Sequence, residues 1–262
     1  MKRPWKLALA AAAVLAFLHL PVLVLMGFSF NASRFTVWRG FSLRWYLELA
    51  RNERILAAVA NSLLVAVVST GVATVIGTLA ACALRRPGRR GRALDAVLQL
   101  SIVTPEIVTG ISLLALFQFV FRFVDLGLGL GTIVLAHVAF SIAFVVLVVR
   151  ARLGALDPAL EEAAMDLGAT EWTAFFRVTI PLLRPGIVAG ALLAFILSFD
   201  DYLITSLVAG VGSETLPMVI YSMARRGVSP VVNALSAVLV VALGSLILLA
   251  ERLQPSSEAR PR

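Results

Sequence analysis

EEAAMDLGATEWTAFFRVTIP, residues 161–181, is a polar interruption between long apolar runs. Asp157-Pro158 just before it is a helix start, with Asp as N-cap and Pro at the first helical position, and Gly168 can end that helix with a left-handed cap. Thr170 can cap a second short helix from Glu171 to Val178, after which Pro181 and Pro185 restrict the approach to the next apolar run. A helix, a glycine joint and a helix make a compact knob. The small Ala163 and Ala164 let another surface come close, and Glu162 can accept hydrogen bonds from backbone amides or pair with a basic group. The plain alternative is an amphipathic loop whose acidic residues are solvated at a membrane surface.

Outward from this loop the chain is apolar in both directions. Hydrophobic residues make up 60% of its 262 positions and charged residues 15%, with a mean hydropathy of +0.95. Soluble domains carry roughly 25% charged residues, and no soluble fold of this size could hide so much apolar surface. Six apolar runs, at 7–30, 57–84, 96–121, 130–149, 186–209 and 231–250, are each long enough to cross a bilayer; about 20 helical residues span its ~30 Å of hydrocarbon. They are continuous rather than alternating, and lipid offers the backbone no partners, so helices are expected and a β-barrel is excluded. The expected fold is an all-α membrane protein of six transmembrane helices in one bundle.

The net charge of +8 raises the question of nucleic acid. The basic residues, however, sit in short tracts between apolar runs with no aromatic-interleaved basic face, so no nucleic-acid partner is expected. Topology accounts for them instead. The first run follows Lys2, Arg3 and Lys6 and is longer than the core of a secretory signal, so it reads as a retained helix with the N-terminus in the cytoplasm. With that end inside, fifteen of the 23 Lys and Arg residues fall on the inner side and eight on the outer. This agrees with the positive-inside rule and places both termini and loop 157–181 in the cytoplasm. Cys82 is the single cysteine, so an intrachain disulfide and a Cys-based metal cluster are excluded.

The order Glu162-Ala163-Ala164, three residues to Gly168, then Ile180-Pro181 resembles the EAA loop of ABC-importer permeases, without the Leu that the family often sets between Ile and Pro. The resemblance implies a type I permease bundle in the bacterial cytoplasmic (inner) membrane. Residues 1–56 would be the first transmembrane helix and outer loop, 57–250 the permease domain, and 251–262 a cytoplasmic tail. It further implies that Glu162, Ala163, Ala164, Gly168, Ile180 and Pro181 couple the chain to an ATP-binding subunit, present in two copies. ATP would be bound and hydrolysed there, so this chain would hold no cofactor and be no enzyme. A second permease subunit and an extracytoplasmic solute-binding protein complete the implied assembly, embedded in the lipid bilayer.

SFDDYLITSLVAG, residues 198–210, and ETLPMVIYSMARRGVSPVVNALS, residues 214–236, resemble spermidine/putrescine permease subunits of the PotC type. That resemblance implies a polyamine as solute; ferric ion, thiamine or an amino acid are the alternatives within the same class. Carboxylates inside apolar runs point the same way. Asp200 and Asp201 fall deep in the fifth run and Glu106 near the middle of the third. A charge at such depth costs at least ~2.5 kcal/mol, so each is expected to face water, a partner or a passing cation. Neighbouring residues on a helix point about 100° apart, so one of the two aspartates can instead cap a helix break. Glu106 follows Pro105 and could satisfy freed backbone amides. Tyr202 and Gln118 could contact a solute or join helices.

Other features carry less. Gly127, Gly129 and Gly131 lack the lysine of a phosphate-binding loop and read as a tight turn. His19 and His137 have no ligand-spaced partner, so interhelical hydrogen bonding is expected and metal is not. No nucleophile elbow or HExxH pair is present. Phe35, Trp38, Phe41, Trp45 and Tyr46 in the outer loop read as headgroup anchors, with contact to a solute-binding protein as the alternative. An ATP-independent transporter or channel would want inverted repeats or a selectivity motif, and neither is apparent. A membrane scaffold or sensor would leave the carboxylates and the knob idle.

Overall fold

A computed structural model of the chain describes residues 5–253 except 36, 86, 87 and 228; most of the tail expected at 251–262, with Lys2, Arg3 and Arg86, lies outside the described residues. The helices are α1 Trp5–Phe28, α2 Arg44–Ala50, α3 Glu53–Ala83, α4 Arg89–Val103, α5 Glu106–Val120, α6 Leu130–Gly154, α7 Ala159–Asp166, α8 Glu171–Ala174, α9 Ile180–Asp200, α10 Leu203–Val208, α11 Leu216–Arg225 and α12 Pro230–Leu253, with a π-helical turn, Phe175–Thr179, between α8 and α9. Among the described residues there is no strand, only one isolated bridge between Asn31 and Phe41.

Four helical stretches are long and apolar enough to cross a membrane: Trp5–Phe28, Glu53–Ala83, Leu130–Gly154 and Glu171–Asp200. The span expected at 96–121 is two helices, α4 and α5, bent by 114°; counted as one crossing it makes five. Pro105 is the cause of the bend. Its ring excludes the helical conformation from the residue before it, and Thr104 is extended at ψ 129°. The run expected at 231–250 falls in α12, whose described apolar stretch, Pro230–Ser245, is shorter than the other spans.

The fifth run departs from expectation at both ends. Its helix stops at Asp200, where Asp201 is extended at ψ 126°, and α10 starts afresh at Leu203. At its other end α8 is no separate short helix, because α8, the π turn and α9 run on without interruption from Glu171 to Asp200. Ile180 donates its N–H to the Phe175 carbonyl in the wider π pattern, and Pro181 then falls in the first turn of α9, where a missing N–H costs least. Pro185 lies inside the helix rather than before it.

The chain separates into two compact units. In the unit of residues 57–219, α6 is the central element and packs chiefly on α9. Ala73 and Ala81 of α3, Val145 and Val149 of α6, and Leu183 and Ala194 of α9 share one buried cluster. Small residues set the spacing: a Cβ on Gly77 would meet Val145 Cγ1 at 2.7 Å, and one on Gly186 would meet Arg152 Cβ at 2.6 Å. A second cluster joins Phe117 of α5, Ile133 and Ala136 of α6, and Ile204 and Val208 of α10. Gly210 after α10 admits no other residue, since a Cβ there would lie 1.8 Å from the Leu128 carbonyl oxygen.

In the unit of residues 1–56 and 220–262, α12 packs on α1 and α2, and no side chain of α1 is buried. The loop between α1 and α2 is organised by Asn31. Its Nδ2 donates to the Val37 carbonyl at 2.9 Å, its Oδ1 accepts the Arg39 N–H at 2.9 Å, and its carbonyl accepts Trp45 Nε1–H at 2.6 Å. Trp45 is therefore a buried packing residue, while Phe35, Trp38 and Phe41 are exposed as an interfacial role requires.

Candidate functional site

The knob forms from the local signals of its sequence. Asp157 Oδ1 accepts the Ala159 N–H at 2.9 Å and caps α7. At the other end Gly168 takes φ +89°; its N–H is donated to the Met165 carbonyl at 2.9 Å and that of Ala169 to the Ala164 carbonyl at 3.0 Å, the paired bonds of a Schellman cap. Thr170 Oγ1 accepts the Thr173 N–H at 3.2 Å and starts α8. Glu162, Ala163 and Gly168 are exposed, and Ala164 is half-buried. Leu167 at 90% exposure and Trp172 at 74% stand beside them, large apolar side chains left in the open by a fold that buries neither. Ile180 and Pro181 lie apart from that surface, half-buried in the first turn of α9.

Glu161, not Glu162, carries the knob's internal bonds. Its carboxylate meets Arg85 Nη1, just beyond α3, at 2.5 Å and accepts the hydroxyl of Thr179 in the π turn. One side chain thus ties α7 both to the end of α3 and to the root of α9. Arg150 of α6 pairs in the same way with Asp95 of α4. Sequence reasoning missed Glu161, because its partner Arg85 lies 76 residues away.

At the far end of α9 the break between helices opens onto a cavity of about 330 Å³. Glu106 and Thr109 of α5, Phe140 and Phe144 of α6, and Asp200, Asp201 and Tyr202 line it. Four of the five residues singled out on chemical grounds, Glu106, Asp200, Asp201 and Tyr202, meet there, although the first is separated from the others by more than a third of the chain. No lysine or arginine is among the lining residues. Gln118 is not in the lining.

The three carboxylates differ in what holds them. Asp200, the last residue of α9, and Glu106, the first of α5, are exposed. Asp201 is turned inward with a side chain only 5% exposed. Its Oδ2 accepts both the N–H and the hydroxyl of Thr205 at 2.7 Å, and its Oδ1 accepts the Ile204 N–H at 3.3 Å. It therefore caps the start of α10, the alternative foreseen for one of the two aspartates. His137 of α6, 1% exposed, reaches Asp201 Oδ2 at 3.3 Å, Ser198 Oγ at 2.7 Å and Thr205 Oγ1 at 2.9 Å. Its interhelical bonding is as expected from sequence; its placement against a cavity carboxylate is not. No group of three or more His, Cys, Asp or Glu among the described residues could hold a metal ion.

An apolar helical bundle with a short-helix knob at one end of a 30-residue rod and an acidic cavity at the other has the construction of a solute transporter's membrane component. Residues 73–262 match the family described as binding-protein-dependent transport system inner membrane component, and the chain belongs to that family. The putrescine transport system permease protein PotI of Escherichia coli (strain K12) is 43% identical over 249 residues, covering 93% of this chain and 88% of the relative. The spermidine/putrescine transport system permease protein PotC of the same strain is 42% identical, covering 87% of this chain and 86% of its own. Solved structures share the fold at lower identity. A bacterial ABC transporter involved in the import of the acidic polysaccharide alginate superposes with TM-score 0.73 at 15% identity, covering 97% of this chain and 99% of that one. The MetNI methionine ABC transporter gives 0.62 at 20%, covering 81% and 97%.

Proposed function

We propose that this chain is the permease subunit of an ATP-driven, binding-protein-dependent importer of polyamines such as spermidine and putrescine, forming half of the path and coupling to an ATPase subunit. The observation that carries the solute class is the cavity that gathers Glu106, Asp200, Asp201 and Tyr202 with no basic residue in its lining. A polyamine is a flexible polycation, and spaced carboxylates can replace the water around each ammonium in turn. The names of the two relatives support the same class. A different small solute is the second reading, since solved structures of the same fold are named for alginate and methionine.

In this reading the knob is the docking element for one of two ATP-binding subunits. Glu162, Ala163, Ala164 and Gly168 offer it surface, Ile180 and Pro181 root it in α9, and ATP stays with the partner. The chain lies in a bacterial inner membrane with six crossings, the bent α4–α5 pair serving as one and α12 as the last. Both termini and the knob are cytoplasmic. A second permease subunit completes the path and a solute-binding protein delivers from outside. The 30-residue rod from Glu171 to Asp200 spans ~45 Å at about 1.5 Å per residue. It joins the docking element directly to the cavity wall, so closure of the ATPases shifts the wall that bears Asp200. Alternating access follows from that one mechanical link.

The test is ATP-dependent uptake of radiolabelled spermidine and putrescine into proteoliposomes holding the whole assembly, with binding protein on the entry side. Saturable uptake is expected, and Glu162→Lys should abolish it by reversing charge at the docking surface while the chain still inserts. Stimulation of ATP hydrolysis by the loaded native binding protein without polyamine uptake would favour the second reading. Unchanged coupling in Glu162→Lys would remove that residue from the docking surface.

A further inference from the structure

Residues 34–54 carry five arginines, Arg34, Arg39, Arg44, Arg51 and Arg54, against two carboxylates, Glu48 and Glu53. In the proposed orientation this excess lies outside, where little basic charge is expected, and neither the knob nor the acidic cavity uses it. The unit of residues 1–56 and 220–262 holds a second cavity of about 370 Å³. Pro21, Leu25 and Phe28 near the end of α1 line it, with Pro230 and Asn233 at the start of α12 and Arg34 of the loop. Its apolar wall continues the exposed surface of α1, since Pro21 is itself exposed. Phe35, also in the lining, is 76% exposed, as a side chain at headgroup level is. The cavity therefore lies where hydrocarbon gives way to headgroups.

Two polar groups of the lining are unspent. Arg34 is exposed and its guanidinium faces the Trp45 ring at 6.0 Å, but no carboxylate pairs with it among the described residues. The Asn233 amide makes no hydrogen bond among them. Asn31, by contrast, spends its side chain on the loop backbone. No carboxylate lines the cavity.

We propose that this cavity binds an anionic phospholipid of the outer leaflet, such as phosphatidylglycerol. Arg34 and Asn233 hold its phosphate, and the upper part of one acyl chain lies against Pro21, Leu25 and Phe28. The chemistry of the lining selects this occupant. A guanidinium offers a phosphodiester paired N–H donors, and a basic pocket between membrane helices suits an anionic headgroup. The ammonium of a zwitterionic headgroup would find no carboxylate there. A protein arriving from the aqueous side would have to push apolar side chains below headgroup level to fill the same walls, whereas a lipid reaches them along α1. The lipid also seats α1. That helix packs on α12 yet buries no side chain, so a chain lodged between the two supplies contacts the protein does not. The site follows from membrane embedding and is independent of which solute is carried.

The test uses the purified whole assembly, stripped of lipid in detergent. It is titrated with phosphatidylglycerol or phosphatidylethanolamine of equal chain length, and bound lipid is counted by native mass spectrometry. Arg34→Gln is expected to lose one tightly held phosphatidylglycerol per assembly, its affinity falling about tenfold. Leu25→Trp, which fills the apolar end and keeps Arg34, should lose the same lipid. Arg51→Gln, at an exposed position outside the cavity, should keep it. Phosphatidylethanolamine should not replace it, and glycerol phosphate, the headgroup chemistry without chains, should not compete. Equal loss in Arg51→Gln would reduce the effect to diffuse charge. Equal binding of phosphatidylethanolamine would remove the selection for anionic lipid, and competition by glycerol phosphate would make this a site for free anions. Retention of the lipid by both Arg34→Gln and Leu25→Trp would leave the cavity without this ligand. An unchanged lipid count in Arg34→Gln with lost stimulation of ATP hydrolysis by the binding protein would assign the loop to that partner. Each of these five results overturns the proposal.

Discussion

Asp200 and Asp201 are neighbours in the chain but not in environment, because a helix ends between them. Asp200 finishes α9 with its side chain in the open, whereas Asp201 spends its oxygens on two backbone amides, a hydroxyl and an imidazole. Asp200→Asn should therefore lower polyamine uptake through a raised KM, by about tenfold, without releasing the ATPase; a KM unchanged in the reconstituted assembly would take Asp200 out of the path. Sequence reasoning placed both residues at a cation path because a charge in an apolar run is costly wherever it points. It could not rank them, since the ranking depends on Thr205 one helical turn later and on His137 some 60 positions earlier. The same blindness hid Glu161. Motif order selects Glu162, and the solvent-facing surface agrees, but the internal ties belong to the residue before it. Its bridge to Arg85 is partly exposed, so Glu161→Gln should cost only about 1 kcal/mol of stability. Its larger effect is expected on coupling, as a fall in substrate-stimulated ATP hydrolysis with uptake reduced in step.

Between α7 and α9 the chain signals its start and stop points clearly and its continuity poorly. Asp157, Gly168 and Thr170 act as the caps their residue types suggest, because capping is decided by a side chain and the few amides beside it. The run through Pro181 and Pro185 is illegible by the same local logic, which reads two prolines as a helix limit. The π turn at Phe175–Thr179 and the position of Pro181 in the following first turn let the helix pass. Pro105 is the converse. It lies within an apolar run long enough for one span, and the structure bends there by 114°. The knob also exposes what no motif includes. Trp172 stacks on Phe176 with ring centroids 6.1 Å apart and keeps 74% of its surface open. An aromatic so placed on the proposed docking surface is a candidate hot spot, so Trp172→Ala should weaken retention of the ATPase subunit by about 2 kcal/mol, roughly 30-fold in affinity. Co-purification of that subunit at unchanged yield would remove Trp172 from the contact.

For the whole molecule, orientation decides whether the knob and the cavity can work as one machine. The knob can meet a cytoplasmic ATPase only if loop 157–181 lies inside, and the loop organised by Asn31 must then lie outside. Apolar side chains of α1 are exposed from Trp5 to Val24, as contact with lipid demands, but an apolar surface carries no sign. The sign comes from charge. Fifteen of 23 basic residues fall on the proposed inner side, and the outer loop at 34–54 is itself basic, which narrows the margin. The single native cysteine makes the test direct. In a Cys82→Ser background, Phe41→Cys places a thiol on the exposed surface of the first loop, proposed to lie outside, and Arg92→Cys places one at an exposed position early in α4, on the proposed inner side. A membrane-impermeant maleimide applied to intact cells with a permeable outer envelope should label position 41 at once and position 92 only after the inner membrane is opened. The reverse pattern would put the knob outside and leave it nothing to dock. Labelling of both before opening would mean that the chain does not separate the two faces at all.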